Sequence, residues 1–105
     1  MMIVGGENVF PREIEEVLNL HPAVAASGVI GVVDPVRGEL PVAFVEFKEG
    51  QTADERTLQA WCRERLAGYK APRSIHVLQS LPRNPTGKIM RRELKKLLPD
   101  EASKS

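Results

Sequence analysis

Lys88 follows Gly87 in a stretch that also holds Pro82 and Pro85, with Arg83 before it and Arg91, Arg92, Lys95 and Lys96 close behind. Proline fixes φ and glycine opens the left-handed region, so the backbone is set before a long cationic side chain is presented. From Met90 onward apolar residues recur at helical spacing, with Leu94, Leu97 and Leu98 on one face. The spacing predicts a helix opening just after Lys88, where unpaired amides favour negative charge. A cation mounted this way suits an anion such as a phosphate or a reacting carboxylate. The simpler reading of the same residues is an exposed loop lysine ahead of a solvated amphipathic helix. Three other segments carry groups of interest: Gly5-Gly6-Glu7-Asn8, Arg37 within Asp34–Glu39, and Lys70-Ala71-Pro72-Arg73. Taken singly, they read as turns and surface charges.

Together they form a pattern. Pro82, Gly87, Lys88, Ile89, Arg91 and Leu94, spaced as Pro-x-x-x-x-Gly-Lys-Ile-x-Arg-x-x-Leu, resemble the C-terminal signature of the adenylate-forming enzymes. That superfamily comprises acyl- and aryl-CoA synthetases, peptide-synthetase adenylation domains and luciferases. Ile3 to Leu18 is similar to the segment after the interdomain hinge, most like that of fatty-acid or aryl-acid CoA ligases. Asp34 to Glu39 and Tyr69 to Arg73 match two further family stretches in the same order.

The resemblance implies a two-step reaction in which a carboxylate attacks the α-phosphate of ATP and coenzyme A then displaces AMP. It makes Lys88 the catalytic cation of adenylation. Gly5, Gly6 and Glu7 become the loop that swings in to line the pantetheine tunnel, though two glycines can equally just make a turn. Asn8 occupies a position that can face the adenylate or merely form a turn. Arg37 and the loop of Lys70, Ala71, Pro72 and Arg73 approach the nucleotide end of CoA. Residues 1–98 are expected to be the mobile C-terminal lid of an acid–CoA ligase, inactive without an N-terminal adenylate-forming domain. ATP and CoA are expected as substrates of the complete enzyme, with Mg2+ held by that other domain and nothing bound tightly here. A carrier-protein pantetheine can replace free CoA, and a non-catalytic module docking in trans is the rival from another class.

The elements that must position these groups are legible in outline. Pro11 to Leu20 has a proline at its start, early acidic residues and apolar residues at helical spacing, which predicts a short helix. Ala25 to Val33 and Val42 to Lys48 read as an antiparallel hairpin at the centre of a sheet. Thr52 and Glu55 predict a capping box, followed by an apolar stripe of Leu58, Trp61, Cys62, Leu66 and Tyr69 that ends near Gly68. Trp61 at this spacing reads as a core anchor rather than a ligand-stacking ring. Ser74 to Leu78 predicts a third strand reached by a crossover. The fold class expected is α+β: a two-layer sandwich in which about three helices cover a small mixed sheet of about three strands, plus a short N-terminal hairpin.

With 105 residues the chain is one domain, and its 15 Lys and Arg against 14 Asp and Glu suggest neither nucleic acid nor a membrane surface as partner. No apolar run is long enough for a membrane span. The single Cys62 excludes an internal disulfide and no His and Cys spacing suggests a metal site, which together fit a cytoplasmic protein. Residues 99–105 read as a disordered polar tail.

Overall fold

The computed structural model describes residues 1–36 and 38–98, without the side chain of Tyr69. Arg37 and the tail expected at 99–105 therefore lie outside the described residues. The elements run β1 Met2–Val4, β2 Glu7–Val9, α1 Pro11–Asn19, β3 Val24–Asp34, β4 Gly38–Phe47, α2 Glu55–Arg65, β5 Ser74–Val77 and α3 Arg91–Lys95, with a 3-10 turn at Gly68–Lys70. The α+β class and the mixed sheet are as expected. The N-terminal hairpin joins the same sheet, because Val4 pairs with Gly38 and completes the order β2-β1-β4-β3.

β4 is the central strand. β3 runs antiparallel along one side of it, while β1 meets its start and β5 lies parallel to residues 42–45 on the other. Of the hairpin expected at the centre, only β4 is there, and β3 borders the sheet among the described residues. Side chains alternate along a strand, so the sheet presents two apolar faces. Val29, Ala43, Val45 and Ile75 meet Ile14 and Leu18 of α1 and Leu58 and Cys62 of α2 on one. Ile30, Val42 and Phe44 meet Leu81 and Leu94 on the other. The helices therefore do not share one face: α1 and α2 cover one side, and the short α3 covers the other.

Local chemistry explains where the elements begin and end. Pro11 opens α1, where its missing N–H costs nothing, and Ile14 and Leu18 are buried one turn apart. At α2 the capping box does not form, because Asp54 sits directly at the cap position and its Oδ1 accepts Thr57 N–H at 2.7 Å. Glu55 is thereby released to accept Ile75 N–H at 2.8 Å, which ties α2 to β5. α2 stops at Arg65 with Leu66 already extended, so Gly68 does not end the helix but opens the 3-10 turn. Trp61 anchors α2 to α1 by donating its indole N–H to Val17 O at 2.8 Å, with the Arg65 guanidinium 3.3 Å from the ring centroid.

Candidate functional site

Lys88 does not stand at a helix start. Residues 82–90 form a small hairpin, in which Asn84 N–H donates to Lys88 O at 2.9 Å, Met90 N–H to Pro82 O at 2.8 Å, and Arg83 bridges Ile89. With Lys88 held by these cross-hairpin bonds, α3 begins only at Arg91 and spans five residues. Leu94 is buried as expected, but Leu97 is half-exposed, because so short a helix ends before its apolar face is continued.

Asn84 is the hub of the hairpin. Its Oδ1 accepts Thr86 N–H at 3.0 Å, the Thr86 hydroxyl at 2.7 Å and Lys88 N–H at 3.0 Å, as an asparagine side chain does when it stands in for a backbone turn. Gly87, at φ +89°, supplies the left-handed residue that the reversal needs. The Lys88 side chain is exposed, and among the described residues its ammonium makes no ion pair. It borders a recess of about 660 Å³ shared with Phe10, Arg12, Glu15 and Arg91.

Two acidic side chains hold the segments that flank the hairpin. Glu46 Oε1 accepts Leu81 N–H at 2.9 Å and Arg83 at 3.0 Å. The Leu81 amide, assisted by Arg83 and opposed by partial burial, keeps the Glu46 carboxyl below its ordinary range. Glu15 receives Arg91 through both its oxygens, at 2.6 and 2.8 Å. These charge-assisted bonds raise the pKa of the Arg91 guanidinium still further.

The second group of expected residues lies elsewhere. Gly5 and Gly6, at φ +56° and +87°, make the two-residue turn between β1 and β2, with Val4 opposite Glu7. Positive φ at both central positions matches the turn type that suits the strand twist. Gly5 and Glu7 line a cleft of about 480 Å³, and so do Ala71, Pro72 and Arg73, so segments more than sixty residues apart in sequence meet in one place. Gln59 of α2 holds the second wall by donating to Arg73 O at 2.7 Å and Pro72 O at 3.3 Å, while Arg73 N–H donates to Pro41 O at 2.8 Å. Lys70 pairs with Glu13 at 2.8 Å. Asn8 is exposed on β2, opposite Ile3.

Sequence reasoning missed Gln59 and Arg63, which also line the cleft. Their i,i+4 spacing on the polar side of α2 was a usable signal, since such residues stand one above the other. It also missed Asn84, Glu15 and Glu46. Among the described residues, no cluster of three or more His, Cys, Asp or Glu side chains is placed to hold a metal ion.

Residues 13–88 match the model of the AMP-binding enzyme C-terminal domain. The chain belongs to that family. It is 52% identical over 99 residues to the 2-succinylbenzoate–CoA ligase of Geobacillus kaustophilus, a match covering 94% of this chain and 20% of that protein. The fold is similar to that of a double mutant of Bacillus subtilis o-succinylbenzoate CoA synthetase bound with its product analogue OSB-NCoA. There the TM-score is 0.85 with 43% identity, over 90% of this chain and 19% of the other. The same synthetase with the acyl-adenylate intermediate OSB-AMP gives a TM-score of 0.79 and 45% identity, over 89% and 19%. This AMP-binding C-terminal domain thus spans about a fifth of the length of the curated relatives it matches.

Proposed function

We propose that this domain is the mobile lid of an AMP-forming acid–CoA ligase, in which Lys88 serves the adenylation step and the Gly5–Glu7 turn serves thioester formation. The observation that carries this reading is the separation of the two groups. Lys88 stands over one recess, whereas Gly5, Glu7, Ala71, Pro72 and Arg73 share another cleft. Two sites on one small rigid domain can serve two steps if the domain rotates between them.

In adenylation a carboxylate approaches the negatively charged α-phosphate of ATP, and a cation between them lowers the repulsion as charge builds up in the transition state. A unit charge pair at about 4 Å is worth about 4 kcal/mol at an effective dielectric near 20. Lys88 suits this task, because its ammonium is exposed and pairs with no acidic side chain among the described residues. In the second step the side-chain-free Gly5-Gly6 turn admits a pantetheine arm close to the backbone. Arg73 and Arg37 receive the phosphates at the other end of CoA, and Asn8 faces the adenylate. ATP and CoA are then substrates shared with an N-terminal adenylate-forming domain. The acid is of the 2-succinylbenzoate class, an aryl acid rather than a fatty acid, as the 52% identity to a ligase of that name supports.

The test is to exchange this chain for the matching segment of the Geobacillus kaustophilus ligase. Acid-dependent pyrophosphate release is measured separately from thioester formation starting from supplied acyl-adenylate. Lys88→Ala is expected to slow the first by about 10²–10³-fold, the effect of removing one electrostatic donor, and to spare the second. An unchanged adenylation rate, or equal loss in both steps, refutes the assignment.

A further inference from the structure

The Lys88 hairpin meets the rest of the domain at two feet, and a glutamate from a different element holds each. At the first, Glu46 of β4 accepts both Leu81 N–H and the Arg83 guanidinium on one oxygen. At the second, Glu15 of α1 receives the Nε and Nη2 of Arg91, and its Oε2 also accepts Val29 N–H of β3 at 2.8 Å. Each carboxylate thus binds one backbone amide and one arginine. The Glu15 side chain is 13% exposed and the Glu46 side chain 20%. By contrast Arg12 and Glu16, at 85% and 68%, form a solvated pair that constrains little. A two-pronged guanidinium–carboxylate contact fixes orientation as well as distance.

We infer that Glu15 and Glu46 are positioning residues, acting through Arg91 and Arg83, that set where the Lys88 hairpin stands relative to the sheet. The inference rests on the reading of Lys88 as the adenylation cation. The lysine stem is long and flexible, so the reach of its ammonium is decided by where the hairpin holds its Cα. Nothing inside the hairpin can supply that reference: its own bonds, through Asn84 and the Arg83–Ile89 bridge, close it on itself. Among the described residues, the two glutamates and the apolar contacts of Leu81, Ile89 and Leu94 relate it to α1, β3 and β4.

Glu15→Gln and Glu46→Gln test this, because the amide oxygen of glutamine still accepts Val29 N–H or Leu81 N–H while the charge that holds the arginine is lost. In this chain, nuclear Overhauser contacts between Ile89 and Gly28 of β3, which report how the hairpin is seated on the sheet, are expected to weaken in the double variant while contacts along the β3–β4 ladder stay unchanged. Unchanged contacts between Ile89 and Gly28 overturn the inference. In the exchanged ligase described above, the double variant is expected to slow adenylation by about 10²-fold, the cost of misplacing a reacting group by about 1 Å. Thioester formation from supplied acyl-adenylate is expected to stay within about twofold. Arg91→Lys, which keeps the charge but not the fork, is expected to fall between wild type and Arg91→Ala. Loss of both half-reactions together assigns the glutamates to general stability and overturns positioning. If Lys88→Ala slows adenylation and the glutamate variants do not, positioning alone fails. If Lys88→Ala has no effect, the reading of Lys88 itself fails.

Discussion

A methyl group at Gly28 measures how tightly the Lys88 segment is seated on the sheet. A Cβ built on this β3 residue would lie 2.5 Å from Leu94 Cδ1 and 3.1 Å from Ile89 Cγ2, against about 3.5–4.0 Å for carbon atoms in ordinary contact. Leu94 is fully buried, so its end has no solvent to swing into and α3 must give way, by about 1 Å on that comparison. Overpacking of this kind costs about 1–3 kcal/mol. The reduced freedom of the unfolded chain returns about 0.4–1 kcal/mol. Gly28→Ala is therefore expected to be about 1–2 kcal/mol less stable than wild type. Urea unfolding followed by Trp61 fluorescence reads this as a lower midpoint at an unchanged slope. Leu94→Ala alone costs about 2–5 kcal/mol through the cavity it leaves. The double variant is expected to lose less than the sum, because the new methyl enters the space that Leu94 vacates. A Gly28→Ala midpoint at or above wild type, or strict additivity in the double variant, refutes the close seating of α3 on Gly28.

Trp61→Phe removes the indole bond to Val17 O and weakens the Arg65 stack, an expected loss of about 1–2 kcal/mol read by thermal unfolding. Burial raises the Cys62 thiol to about 11, so a thiol reagent at pH 8 is expected to label the native chain only as fast as it unfolds; rapid labelling of folded protein contradicts the packing of α2. Glu46 has a folded pKa below its ordinary 4.5, with the Leu81 amide as the main cause. A depressed carboxyl pKa contributes stability that is complete above 4.5 and is lost as pH falls through the lower folded value. The stability gap between wild type and Glu46→Gln is therefore expected to be constant above pH 4.5 and to close below it, as acid unfolding curves of the two proteins would record.

Much of the fold is written locally. Pro11 with the Ile14–Leu18 spacing defined α1, the small and β-branched residues from Ala25 to Val33 marked β3 to within a residue at each end, and Leu58 with Cys62 marked the buried side of α2. Each depends on periodicity and end signals within a few residues. Boundaries were less legible where two residues compete for one role. Thr52 and Asp54 can both cap α2; Asp54 takes the cap by accepting Thr57 N–H, which leaves Glu55 to accept the Ile75 amide, twenty residues distant. The start of α3 misled for a similar reason: helical spacing runs on from Met90, but cross-hairpin bonds claim the backbone up to that residue.

The residue types and their spacing determined by themselves that an exposed lysine is carried on a stiff turn and that a glycine pair ends a short hairpin, since proline and glycine act through local dihedral limits. The same order of motifs pointed to the family. Only the tertiary structure decided that the Gly5–Glu7 turn shares a cleft with Ala71–Arg73, that Lys88 faces a different recess, and that Glu15 and Glu46 hold the hairpin beneath it. Those pairings join residues 35 to 76 positions apart in the chain, the limits being Leu81 with Glu46 and Arg91 with Glu15. No local preference encodes such contacts, because they exist only once the central β4 has brought β1, β3 and β5 into register around it.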